Sequence, residues 1–127
     1  MRTVFWDFDK NELKMIDQRC LPGKLEVIPL RTYMEVAQAI RNMTVRGAPA
    51  IGAAAAFGLA LAGYASKASD AAGVMSDLEA AAKELKATRP TAINLGWAVD
   101  RVMKVTLLVS DQADALRMAI MNEAQRI

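Results

Sequence analysis

Two arginines stand where a fixed cation could do chemistry. Arg46 immediately precedes Gly47-Ala48-Pro49-Ala50-Ile51-Gly52, and Arg89 opens Arg89-Pro90-Thr91. Each sits beside a proline-stiffened break rather than on the flank of a helix. A guanidinium is a planar fork of donors that matches phosphate or carboxylate. A chain that turns at glycine and then enters a helix presents free N–H groups at the positive end of the helix dipole. Arg46 with that helix mouth therefore reads as an anion grip. Two forks converging on one pocket would hold a dianion better than either alone. Spacing leaves open whether they converge or are two unrelated surface arginines.

The rest of the reactive inventory is thin. Histidine is absent from the 127 residues, which removes a histidine general base, a histidine-based triad and most zinc sites. Proton transfer would fall to carboxylates or to the one thiol. That thiol, Cys20, has no internal disulfide partner and suits a reducing compartment. No apolar stretch follows Met1 before Asp7 and Asp9, so no signal peptide is visible and the expected location is the cytoplasm. The apolar fraction of 54%, with 24% charged residues and a net charge of +2, describes a single globular domain. A pI of 8.8 is basic. Yet no window clusters the five or six basic residues of a nucleic-acid footprint, so nucleic acid is not an expected partner.

The elements that would position the arginines can be read in order. Thr3 to Phe8, Leu13 to Ile16 and Leu25 to Leu30 are strand-like and are separated by Asp9-Lys10-Asn11-Glu12 and by Leu21-Pro22-Gly23-Lys24. They predict a small antiparallel meander of three strands over residues 1–30. Trp6 and Phe8 fall on one strand face and are expected to pack against the helices behind. Thr32-Tyr33-Met34-Glu35 has capping-box spacing, and Val36, Ile40 and Met43 form the apolar stripe of the helix that it starts. From Gly47 to Ser66 no side chain is charged.

That segment has the length of a membrane span. Its Ala/Gly composition gives little transfer free energy, and its glycines lack the spacing of a GxxxG dimer face. It predicts a buried central helix that neighbours approach closely, with no membrane partner. Ser69 or Asp70 caps the next helix, with a stripe of Val74, Leu78, Ala81 or Ala82, and Leu85, and with Glu79 and Lys83 on its wet side. Arg89-Pro90 ends it. Trp97, Val99, Val102 and Met103 mark the buried side of a following helix that runs to about Leu107. Ser110-Asp111-Gln112 starts the last, carrying Leu116, Ile120 and Ile127. That helix has no stop signal: it reads as cut in mid-pattern, the alternative being a helix that runs to the natural C-terminus. The fold class is α+β and mainly helical: the meander over residues 1–30, then a bundle of about five helices over residues 31–127 around the Ala/Gly-rich one.

The run Ala39 to Gly52, the Ala-rich helix and then Arg89-Pro90-Thr91-Ala92-Ile93-Asn94-Leu95 together resemble the N-terminal part of methylthioribose-1-phosphate isomerases. Leu13 to Ile16 leading into Asp17-Gln18-Arg19 and Leu21-Pro22, and the Thr32-Tyr33 helix start, are similar too. The wider family includes ribose-1,5-bisphosphate isomerase and the regulatory subunits of translation initiation factor 2B. The intact Arg-Gly-Ala-Pro-Ala-Ile-Gly favours the methylthioribose branch.

The resemblance implies an aldose–ketose isomerisation in methionine salvage, from 5-methylthioribose 1-phosphate to 5-methylthioribulose 1-phosphate, with no cofactor and no metal. It implies that Arg46, Gly47, Ala48 and Arg89 bind the phosphosugar. It further implies that residues 1–127 are the N-terminal domain of a longer two-domain enzyme that is a homodimer at full length. The catalytic cysteine and aspartate of such enzymes lie in a C-terminal α/β domain that partners this one and is absent here. No catalytic residue is therefore expected in these 127 residues, and the isolated chain is expected to be inactive. Cys20, ahead of the central motif, reads as structural.

Overall fold

A computed structural model of the protein describes residues 3–108 and 112–127. Three short strands come first: β1 (Val4–Asp7), β2 (Glu12–Ile16) and β3 (Val27–Leu30), with a 3-10 turn, Gln18–Cys20, after β2. They form an antiparallel sheet in the order β1-β2-β3, registered by Trp6 opposite Leu13 and Met15 opposite Ile28. The first turn closes because the Asp7 carboxylate accepts the N–H groups of Asp9 and Lys10, and Asn11 takes a left-handed φ of 51°. Val4, Trp6, Leu13 and Met15 point into the core. Trp6 stacks on Phe57 at 5.7 Å between ring centroids. Phe8 does not share that face: β1 ends at Asp7, the chain turns, and Phe8 is 62% exposed.

Five helices follow: α1 (Tyr33–Arg41), α2 (Ala48–Ala65), α3 (Ala71–Ala87), α4 (Ile93–Lys104) and α5 (Ala113–Arg126). The capping box starts α1 as its spacing predicts. Glu35 N–H donates to Thr32 Oγ1 at 3.1 Å, and Thr32 N–H donates to Glu35 Oε1 at 3.1 Å. Val36 and Ile40 are buried, but Met43 is not. The helix stops at Arg41, and Met43 lies beyond it with φ 65°, which turns its side chain outward.

Helix α2 is the hub. It touches the other four helices and strands β1 and β2, and of its large side chains Ile51, Phe57, Leu59 and Leu61 are buried while Tyr64 is exposed. The predicted close approach occurs at its glycines. A Cβ on Gly58 would lie 3.2 Å from Leu85 and 3.3 Å from Val36, and one on Gly52 would lie 3.4 Å from the Asn94 carbonyl oxygen. Packing at that distance maximises dispersion contacts for side chains that individually bury little area. The far end of α2 is tied down by Arg117 of α5, whose guanidinium donates to the carbonyls of Gly63, Ser66 and Ala68.

Asp70 caps α3 through Gly73 N–H at 2.8 Å, and Val74, Leu78, Ala81, Ala82 and Leu85 are its buried stripe. Glu79 and Lys83 are exposed. Helix α4 buries Leu95, Ala98, Val99 and Val102 and tightens into a 3-10 turn, Val105–Leu108. Trp97, placed near the buried face by the pattern, is 55% exposed and carries the Arg101 guanidinium over its ring at 5.3 Å. The expected start of α5 at Ser110-Asp111 lies outside the described residues; the helix has Gln112 as N-cap and buries Leu116 and Ile120.

Candidate functional site

The loop between α1 and α2 carries Arg46 and Gly47, and its shape is set residue by residue. Asn42 folds back so that its Oδ1 accepts Thr44 N–H at 3.0 Å and Thr44 Oγ1 at 2.6 Å. Thr44 and Val45 are buried and pin the loop to the core. Gln18 holds it from the sheet side. Its N–H donates to the Thr44 carbonyl at 2.9 Å, while its side-chain Oε1 accepts Arg46 N–H at 2.6 Å. Gly47 then takes φ 90° and ψ 134°, a backbone region essentially restricted to glycine. That reversal starts α2, with Gly47 C=O accepting Ile51 N–H at 2.9 Å.

No side chain caps α2, and Pro49 in its first turn has no N–H to cap. The orphan amides of that turn face outward at the positive end of a long helix. A second helix mouth meets them. After α3 the chain makes the Arg89-Pro90-Thr91 turn, closed by Ala92 N–H donating to Arg89 C=O at 2.9 Å, and α4 begins without a side-chain cap at Ala92. Between the two mouths lies an open cleft of about 410 Å³, lined by Gly47, Ala48 and Ile51 on one side and by Arg89 and Thr91 to Leu95 on the other.

Arg89 is the cation of this cleft. Among the described residues its guanidinium has no ion-pair partner; Glu84 and Asp100 pair with Arg41 and Lys86. Among the described residues no carboxylate lines the cleft. Two helix N-termini and one guanidinium thus surround a space that no carboxylate of the described residues lines, the arrangement that suits a phosphate.

Of the four residues singled out from the sequence, Gly47, Ala48 and Arg89 line this one cleft. The Arg46 side chain does not line it. Its guanidinium is exposed and donates to the Gln18 carbonyl at 3.1 Å. The geometry also brings in residues that sequence reasoning did not assign. Thr91, Asn94 and the α4 mouth belong to the Arg-Pro-Thr-Ala-Ile-Asn-Leu run, and an unblocked helix start after a proline was the available signal. Gln18 offered none, since it meets Arg46 across 28 residues of sequence.

Cys20 is not a cleft residue. Partial burial pushes its thiol above the ordinary value, and the Asp17 and Glu26 carboxylates push it the same way, so it stays protonated and weakly nucleophilic. Asp17 is held below its ordinary value by the Arg19 guanidinium, which grips both carboxylate oxygens at 2.9 and 2.8 Å. Among the described residues no cluster of three or more Cys, Asp or Glu is placed to hold a metal ion.

The chain is similar in sequence and fold to known proteins. The chain is 42% identical over 128 residues to methylthioribose-1-phosphate isomerase of Desulforamulus reducens, matching all of this chain and 36% of that protein. The crystal structure of 5-methylthioribose 1-phosphate isomerase from Pyrococcus horikoshii superposes with a TM-score of 0.92 at 45% identity, covering 98% of this chain and 35% of that one. The structure of translation initiation factor eIF-2B, subunit delta, from A. fulgidus superposes at 0.91 with 40% identity, covering 99% and 36%. The chain thus spans about a third of the length of the relatives that it matches. Residues 44–127, which include both helix mouths, match the initiation factor 2 subunit family model, and the chain belongs to that family.

Proposed function

We propose that this chain is the substrate-phosphate wall of a methylthioribose-1-phosphate isomerase, acting in methionine salvage when joined to the further two thirds that its relatives carry. The single observation that carries the reading is the cleft: two uncapped helix mouths and Arg89 around one space that, among the described residues, no carboxylate lines. The reaction converts 5-methylthioribose 1-phosphate to its ketose isomer. Within one substrate molecule C2 is oxidised to a ketone while C1 is reduced by the same electron pair, so no external oxidant or reductant is consumed. Gripping the phosphate fixes the sugar against the reacting groups, and orientation of this kind supplies a large part of such a rate enhancement. Those groups, a cysteine and an aspartate, belong to the remaining α/β domain, and the 127 residues alone do not turn over substrate.

An exposed apolar patch beside the cleft supports a covering domain there. Ile93 is 85% exposed and Trp97 is 55% exposed on the same face of α4, next to the cleft. Large apolar side chains so exposed beside a binding site are the usual mark of a covered surface. Full-length dimerisation and a cytoplasmic location are part of the same reading.

A regulatory role in translation initiation is the second reading, favoured by the likeness to the initiation-factor delta subunit. Ribose-1,5-bisphosphate would enter the same kind of cleft. One experiment separates the three: full-length protein is incubated in turn with methylthioribose 1-phosphate and ribose 1,5-bisphosphate, and then in a guanine-nucleotide exchange assay. Ketose formation from the first sugar alone is the expected result. Exchange modulation with neither sugar turned over would overturn the proposal.

A further inference from the structure

We infer that Gln18 is a positioning residue of the phosphate cleft, acting through the Thr44–Gly47 loop; the inference rests on the phosphosugar reading of that cleft. Three hydrogen bonds join this one residue to the loop. Gln18 N–H donates to Thr44 C=O at 2.9 Å, Arg46 N–H donates to Gln18 Oε1 at 2.6 Å, and Arg46 Nη2 donates to Gln18 C=O at 3.1 Å. They bracket the peptide that ends at Gly47. Gly47 carries the φ of 90° from which α2 starts, and its neighbour Ala48 lines the cleft.

The side-chain bond is the critical one. It holds the N–H of Arg46, the residue directly before the reversal at Gly47. Gln18 is itself held in place, since it opens a 3-10 turn capped by Asp17, whose carboxylate is gripped by Arg19. The chain therefore runs Asp17–Arg19, Gln18, Arg46, Gly47 and then the α2 mouth. Gln18 itself does not line the cleft, which distinguishes positioning from contact.

The test uses the full-length enzyme with Gln18→Leu, Gln18→Ala and Gln18→Glu, alongside Arg89→Ala. The readouts are KM and kcat for methylthioribose 1-phosphate, competitive inhibition by inorganic phosphate, and Tm. Leucine keeps the bulk of glutamine and removes the acceptor; glutamate keeps the acceptor. Loss of one hydrogen bond at a cleft wall predicts KM and the phosphate inhibition constant raised about tenfold in the leucine variant with kcat little changed. The glutamate variant should recover most of that loss. Should the leucine variant fail to fold, the alanine variant carries the same prediction, since both backbone bonds of Gln18 survive in it. Leucine or alanine variants with parental KM and phosphate inhibition, beside an impaired Arg89→Ala, would overturn the role of Gln18 and leave the cleft assignment standing. Parental values in Arg89→Ala as well would overturn both.

Discussion

Gly47 and Arg89 are constrained in opposite ways. Nothing lies within 4 Å of where a Cβ on Gly47 would stand, so space is not what reserves the position for glycine. The φ of 90° is. Gly47→Ala is therefore expected to destabilise the protein by about 1–3 kcal/mol through backbone strain alone. Urea unfolding followed by circular dichroism checks it, and a cost indistinguishable from zero would mean that the loop readily finds another path. The Arg89 side chain, by contrast, has no hydrogen bond or ion pair within the fold among the described residues. Its exposure to the cleft and its lack of a carboxylate partner make it a residue whose removal should cost binding and not stability.

At the scale of elements, the glycines of α2 are spacers set by what faces them. Gly58 meets Leu85 of α3 and Val36 of α1 at 3.2–3.3 Å, and those side chains are fully buried with no room to retreat. Gly58→Val is expected to destabilise by about 1–3 kcal/mol through overpacking. Gly96 in α4 has open space around its Cβ position. Gly96→Ala should therefore stabilise by roughly 0.5–1 kcal/mol, through helix propensity and the entropy of the unfolded chain. Thermal unfolding of the pair would show opposite signs, and equal signs would contradict the packing account.

The α4–α5 contact carries a pH-dependent element. Glu123 is buried, and the Arg101 guanidinium at 2.7 Å, with Arg126 at 3.2 Å, holds its carboxyl below the ordinary value of 4.5. A group depressed in the folded state contributes stability above its unfolded pKa, and that contribution is lost as pH falls through the folded value. Stability should thus drop as pH is lowered below about 4.5. Glu123→Gln should flatten that part of the profile, and an unchanged slope would show that other carboxylates dominate acid unfolding.

For the molecule as a whole, the local devices were legible and the distant meetings were not. The capping box at Thr32, the Asp70 cap, the three strands and the buried Ala/Gly helix all depend on spacings of a few residues, which a sequence displays directly. Phe8, Met43 and Trp97 escaped because each sits where a regular element ends or turns a face outward. A period of two or of 3.6 residues cannot mark that boundary. The cleft was half legible. Gly47, Ala48 and Arg89 come from two separate motifs, and only the packing of α4 on α2 at Gly52 brings the two helix mouths together. Gln18 was not legible at all, because a hydrogen bond across 28 residues has no local signature.

The central claim is that this cleft binds the phosphate of a phosphosugar. Isothermal titration of methylthioribose 1-phosphate into the full-length protein and its Arg89→Ala variant tests it most directly. Loss of a charged hydrogen bond of roughly 1.5–3 kcal/mol predicts a Kd weakened by about ten- to a hundredfold, at an unchanged Tm. Equal affinity of the two proteins would contradict the account.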